Sequence, residues 1–317
     1  MNTLRVFDFD DQSFKLDVFE LVAQRPASKA RESGFRADVV LGSSVPRVSA
    51  AAGLFRDDAG MAGDLDLQQA YASYVAPLGS GLRIDLGKFI TPFGYEVIEG
   101  FDGWNDNATR SYLFGYAIPF THTGARLAYA FSSRIGLTAV LANGWDDARD
   151  DNRAKTVGAQ LALTPLDPLV LVVGAMTGPE RADNDSDPRS LLDVTLMWKS
   201  GGTLALGANG DWGAERNALG PDADAHWSGI AGYARWEMTA GLAWSLRAET
   251  FDDVDGTRTG VHQRLSELTL TPEAKVSANL RVRGDLRFDH SDQAVFEKRG
   301  GTSDRQTTVL VGALYSF

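Results

Sequence analysis

From Phe14 to the C-terminus, apolar and polar residues alternate with a period of two in segments of roughly ten residues, separated by Gly, Pro, Asn, Asp and Ser. The clearest segment is Leu280 to His290. Leu280, Val282, Leu286 and Phe288 fall on one face, and Arg281, Arg283, Asp285, Arg287 and Asp289 on the other. A helix would scatter those charges around its circumference, so the period predicts a strand. The same alternation marks Phe35 to Leu41, Leu82 to Leu86, Ala125 to Phe131, Val157 to Leu163, Leu192 to Trp198, Ile230 to Trp236, Leu242 to Ala248 and Val309 to Phe317. With the weaker segments the chain predicts about fifteen strands.

The connections alternate between two kinds. Short turns are expected at Pro77 to Gly81, Ser132 to Arg134, Pro165 to Pro168, Ser200 to Gly202, Thr239 to Gly241 and Pro272 to Ser277. Long polar connections are expected at Ser43 to Asp66, Thr91 to Thr121, Gly144 to Ala154, Gly178 to Arg189, Trp212 to Ala225, Asp252 to Gln263 and Ser291 to Arg305. Short turns at one end and long loops at the other is the asymmetry of outer-membrane barrels, and a soluble sandwich has no reason for it. Aromatic residues sharpen the point. Tyr129, Phe131, Trp198, Trp236, Trp244, Tyr315 and Phe317 fall on the outward parity beside a short turn or the C-terminus, where an interfacial girdle belongs.

These patterns predict an all-β fold: a single antiparallel transmembrane β-barrel over residues 1–317, with a long lumenal loop at 91–121. If the last strand runs down to the periplasm, so does the strand at Phe14 to Ala23. An even count of about sixteen then requires one further strand, expected to be missing ahead of the fifteen visible ones, with Met1 to Asp11 ending the first extracellular loop. The apolar stripe Val309, Val311, Ala313, Tyr315 and Phe317 is expected to serve as an assembly signal.

Composition removes alternatives. No apolar run reaches the roughly 18 residues of a spanning helix. Cysteine is absent, which excludes disulfides, thiolate metal sites and cysteine nucleophiles. A net charge of −11 argues against nucleic acid as a partner. Met1 to Asp11 carries Arg5, Asp8, Asp10 and Asp11 and has no signal-peptide h-region.

Several segments together resemble the OmpL-like family of β-barrel porins, over nearly the whole chain. The most specific is residues 87–124, GKFITPFGYEVIEGFDGWNDNATRSYLFGYAIPFTHTG, supported by LRVFDFDDQSFKLDVFELV, LQQAYASYVAPLGSGL, ANGWDD, KTVGAQL, AGYARW, LRAETFDD and LYSF. The resemblance implies an outer-membrane location and a pore. It also implies a strand ahead of LRVFDFDD, as strand parity does.

Candidate chemistry follows from the polar parity. Arg83, Asp85, Arg126, Asp193, Asp211, Arg235, Arg247, Glu249, Arg281, Arg283, Asp285 and Arg287 would project inward, because a charge facing lipid at the midplane costs roughly 2–4 kcal/mol. The connection 91–121 carries Glu96, Glu99, Asp102, Asp106 and Arg110 with Tyr95, Phe101, Trp104, Tyr112, Phe114 and Tyr116, too much apolar surface to leave in water. Folded inside, its acids would face Arg247, Arg281 and Arg283 across a constriction; a lid over the extracellular mouth is the alternative. His122, His226, His262 and His290 lack ligand spacing, and no catalytic motif is present. Ser291 beside His290 cannot form a nucleophile pair, since neighbours in a strand point to opposite faces. The acidic runs Asp146, Asp147, Asp150 and Asp151, and Asp183, Asp185 and Asp187, read as solvated loops rather than Ca²⁺ loops. The expected function is passive diffusion of small hydrophilic solutes or ions, without a cofactor. A scaffold barrel docking a partner protein is the alternative, ahead of an outer-membrane enzyme. Outer-membrane lipids are expected around the barrel, and monomer and trimer both stay open.

Overall fold

The computed structural model describes residues 1–199 and 201–317, the side chains of 50–52 aside, so the expected turn at 200–202 lies partly outside the described residues. One antiparallel sheet of 15 strands holds the chain together. Its strands are β1 (Phe19–Arg25), β2 (Ser33–Leu41), β3 (Leu65–Ala76), β4 (Leu82–Ile90), β5 (Thr121–Ser132), β6 (Ile135–Ala142), β7 (Thr156–Leu166) and β8 (Leu169–Pro179). They continue as β9 (Pro188–Lys199), β10 (Leu204–Gly220), β11 (Ala223–Thr239), β12 (Leu242–Asp253), β13 (Gln263–Lys275) and β14 (Leu280–Ser291). After a separate small hairpin, β15 (Phe296–Lys298) with β16 (Gly301–Ser303), the sheet ends on β17 (Arg305–Tyr315). Every strand pairs with its neighbour in sequence, and β14 pairs with β17.

The register turns the period-two pattern into two continuous faces. Trp198, Leu206, Ala234, Leu246, Leu270, Leu286 and Val309 are successive cross-strand partners from β9 to β17. Most of them are exposed, as are Ile230, Leu268, Phe288 and Val311. An exposed apolar face of that extent belongs against lipid rather than water. No helix among the described residues is long and apolar enough to cross a membrane. The opposite face holds a second row, Gly207, Tyr233, Arg247, Thr269, Arg287 and Thr308, from β10 to β17. Arg247, Thr269 and Arg287 there are fully buried, so the charged parity faces inward. Arg283 and Asp285 are buried as well, while Leu286 and Phe288 point out, as the Leu280 to His290 alternation predicts.

With 15 antiparallel strands, β1 and β17 run in the same direction, and they are not paired with each other. The Phe19 and Phe317 rings stack at 6.4 Å. Residues ahead of β1 lie across the inner face. Thr3 donates its amide to Gln306, Arg5 pairs with Asp289 and Asp8, and Phe7 packs on Phe114 and Phe120.

One expected loop is corrected. Trp212 to Ala225 is not a long connection: β10 and β11 continue through it to a tight turn at Pro221–Asp222. The inward parity persists there, with Trp227 filling the space that Gly213 leaves, and an irregularity between Glu215 and Gly220 absorbs the extra residues. The connection after β2 contains a helix, α1 (Val45–Ala52), which opens with Pro46 in its first turn.

Candidate pore constriction

Residues 91–120 join β4 to β5 and run along the inner face of β7 to β14. The sequence of the wall makes room for them. On the inner parity of β8, β10 and β11 stand Gly174, Gly207 and Gly229, and a Cβ there would lie 2.6, 2.4 and 2.6 Å from Phe93, Tyr95 and Leu113. Tyr95 then stacks on Tyr233 at 4.0 Å, and the Trp227 indole N–H donates to the Ala117 carbonyl at 3.2 Å. A single π-helical turn, Leu113–Ala117, seats Leu113 and Phe114 in the buried cluster.

Polar contacts fasten the same segment. The Glu96 carboxylate accepts from Arg247 at 2.7 Å and from the Ser111 amide at 2.8 Å. Arg247 also reaches Glu267 and the Thr109 carbonyl, and it has no exposed surface. Glu99 pairs with Arg283 and Arg110, and Asp106 with Arg235 at 3.5 Å. Burial nevertheless pushes the Asp106 carboxyl up, with Arg235 opposing it. Wall acids hold the backbone: Asp285 accepts from the Thr109 amide at 2.6 Å, and Glu249 from the amides of Tyr112 and Leu113 at 2.6 and 3.1 Å. Arg287 pairs with Asp289 at 2.7 Å and donates to the Arg110 carbonyl. The loop acids are therefore in direct contact with arginines rather than opposed across open space. Arg281 turns to Glu273 at 3.3 Å, away from the loop.

The segment leaves the β2 to β5 side uncovered. There its tip, Phe101 and Asp102, faces a cavity of about 450 Å³ lined by Arg36, Tyr71, Ser73, Arg83, Asp85 and Arg126, among others. Asp85 is the hub. It accepts from Ser73 at 2.6 Å, from Arg83 at 2.8 Å and from Arg126 at 2.8 Å, so one carboxylate serves two guanidiniums. Arg36 is held by Asp38 and Asp102, and Gln69 donates to both of those acids. The Phe101 amide donates to Glu20 of β1 at 2.7 Å.

Sequence reasoning named Arg83, Arg126 and Asp102 but missed Arg36, Asp38, Gln69 and Ser73. Arg36 and Asp38 were within reach, since they occupy the inward parity of the Phe35 to Leu41 alternation. Of the expected girdle, Trp236 and Trp244 are exposed cross-strand partners at the turn end, and Trp198, Tyr315 and Phe317 share that end with them. Tyr129 lies at the same end, its hydroxyl accepting from the Ser80 amide at 3.4 Å.

A family model described as "Putative beta-barrel porin-2, OmpL-like" matches residues 1–317. Among solved structures, the anion-selective porin of Comamonas acidovorans is 13% identical, with a TM-score of 0.65 over 95% of this chain and 89% of that one. The outer-membrane channel DcaP of Acinetobacter baumannii is 12% identical, with a TM-score of 0.61 over 96% and 85%. OmpF of Salmonella typhi, in complex with daunomycin, is 10% identical, with a TM-score of 0.60 over 94% and 89%. At these identities the likeness establishes the fold. None of the curated proteins compared with the chain matches it.

Proposed function

The chain belongs to the OmpL-like β-barrel porin family, and from that premise we propose that solutes cross it along the β2 to β5 side, where Arg83 and Arg126 select for anions. As a member of that family it is an outer-membrane channel for passive diffusion, and family and fold speak for a channel rather than an enzyme. The supporting observation is the uneven charge of the cavity. Its lining carries Arg25, Arg36, Arg83 and Arg126 against Asp85 and Asp102. Rings of basic side chains favour anions in pores because the field of an excess charge is little screened at close quarters. One fold neighbour is described as an anion-selective porin, and the same preference is proposed here on the arginine excess alone. Glu96, Glu99, Asp106 and Arg110 with Arg235, Arg247, Arg283 and Arg287 then act as fasteners that hold residues 91–120 to one side of the lumen. Arg281, pairing with Glu273 near the periplasmic end, stands outside the selective section.

The test is the reversal potential of single channels in a salt gradient. The double variant Arg83→Gln/Arg126→Gln should lower the anion-to-cation permeability ratio by about fivefold, the effect of roughly 1 kcal/mol of lost attraction in a water-filled section. An unchanged ratio from correctly assembled protein overturns the assignment.

A further inference from the structure

Ion pairs or backbone amides satisfy the buried carboxylates along most of the inner face, and one facing pair has no ion-pair partner among the described residues. Asp193 of β9 and Asp211 of β10 are cross-strand partners with their side chains on the same face, and both are 0% exposed. Like charges directly opposite each other repel, and a buried carboxylate is tolerated only with hydrogen bonds or a counter-charge. Asn209 donates to Asp193 Oδ2 at 2.8 Å. Apart from each other and the Gly94 backbone beside Asp193, Asp193 Oδ1 and both Asp211 oxygens meet no hydrogen-bond donor among the described residues. The next strands bring no cation either. Gly174 of β8 lies opposite Asp193 and Gly229 of β11 opposite Asp211. The side chains covering those two glycines are the apolar Phe93 and Leu113 of the loop. A further charge acting on Asp211 is Glu249 of β12, another acid.

We propose that Asp193 and Asp211 form a binding site for one hard divalent cation, Ca²⁺ or Mg²⁺, enclosed between the channel wall and residues 93–113. Two carboxylates carry the charge that a divalent ion cancels and a monovalent ion would leave half unmatched. Their free oxygens are the hard ligands such ions take, and water completes the coordination, as it commonly does where only one or two carboxylates bind. The position gives the ion a structural role. Gly94 turns the chain at φ +89° where its backbone faces Asp193, so a bound cation fixes the wall where the loop crosses β9, just after Phe93 has packed on β8. The proposal stands apart from the solute path, which runs along the other side.

Metal content and stability test it together. Wild-type protein, folded in detergent and dialysed against metal-free buffer, is titrated separately with Ca²⁺ and Mg²⁺. Its thermal midpoint and its bound metal, by mass spectrometry, are then read. The expected result is about one tightly held divalent ion per chain and a midpoint that rises with the ion. Asp211→Asn and Asp193→Asn should each lose both responses while keeping the β-sheet spectrum and the anion preference. An Asp146→Asn/Asp147→Asn variant in the external loop should keep them. The proposal is overturned if wild-type protein holds no divalent ion and shows no shift, which would leave the pair to share a proton. It is overturned equally if Asp211→Asn responds like wild type, or if the external-loop variant is the one that abolishes the response. Should Asp211→Asn fail to assemble, Asp193→Asn and the wild-type metal content decide.

Discussion

On β12 and β14 the side chains of Arg247 and Arg287 have no exposed surface, whereas on β4 the side chain of Arg83 keeps 39% of its surface open. All three project from inward positions of the same sheet. What separates them is the chain that lies opposite. On the far side, glycines at 174, 207 and 229 let Phe93, Tyr95 and Leu113 come down to the backbone, and the loop then brings Glu96 and Glu99 within reach of Arg247 and Arg283. On the near side the inward positions are filled by Arg36, Tyr71, Arg83 and Arg126, and only the loop tip approaches. An arginine of this wall becomes a fastener or a filter according to the acid supplied to it and the bulk of its neighbours.

The sharpest way to break this contrast is to remove a fastener. Arg247→Ala leaves Glu96 buried without its cation and Glu267 with only Arg287 at 3.5 Å, which costs about 3–5 kcal/mol. Urea unfolding in bilayers should show that loss, and single-channel conductance should rise as the loop detaches. The matching change on the open side, Arg83→Ala, should cost less than about 1 kcal/mol, because that pair is partly solvated. Equal losses from the two substitutions would remove the distinction.

Crowding the glycines probes the same difference with a smaller effect. Gly207→Ala sets a methyl 2.4 Å from the Tyr95 ring and should destabilise by about 1–3 kcal/mol. Gly136→Ala in β6 meets nothing closer than 4.0 Å and should be near neutral by the same measurement.

How much of this could be read from the chain follows from the range of each interaction. Strand existence and inward or outward parity are local properties, and the Leu280 to His290 alternation already separates Arg287 from Phe288. The hairpin of β10 and β11 was hidden because Gly213, Asn217, Gly220 and Pro221 read as loop chemistry. Gly213 is there to admit the ring of Trp227, a contact visible only once the register is known. The loop's acidic and aromatic content marked it as unlikely to stay in water, but which arginine it meets could not be read. Glu96 and Arg247 are separated by 151 residues, and no local pattern links them. Parity alone also could not tell that Arg281 turns toward Glu273 while Arg283, two residues on, turns toward Glu99.

The loops outside the membrane extend the contrast to pH. Glu180 accepts from the Trp145 amide at 2.6 Å and is pushed up to about 8, chiefly by burial. Asp147 is pushed up to about 7 by burial and by Asp151, Asp146 and Asp150, with Arg189 opposing. Both folded values lie above the ordinary carboxylate range, so the folded loops hold extra protons. Their contribution is complete below about pH 4 and is lost as pH rises through 7 to 8. Amide exchange at Trp145 and in residues 146–155 should therefore be faster at pH 9 than at pH 5 after correction for intrinsic rates. Glu180→Gln should flatten that dependence, and an unflattened profile would assign it to other groups.

The smallest expected effect is at the loop tip. Phe101 is 61% exposed and lies 5.2 Å from the Arg36 guanidinium, a contact worth roughly 0.5–1 kcal/mol at such a site. Its amide bond to Glu20 and the neighbouring Asp102 pair with Arg36 do not involve the ring. Phe101→Ala should therefore leave the loop docked and the unfolding midpoint within error of wild type, while widening the cavity that the ring borders. Conductance should increase modestly with the anion preference unchanged, because Arg83, Asp85 and Arg126 stay in place. A change in selectivity without a change in conductance would mean that the ring acts through Arg36, and the selective section would then include the loop tip as well as the wall.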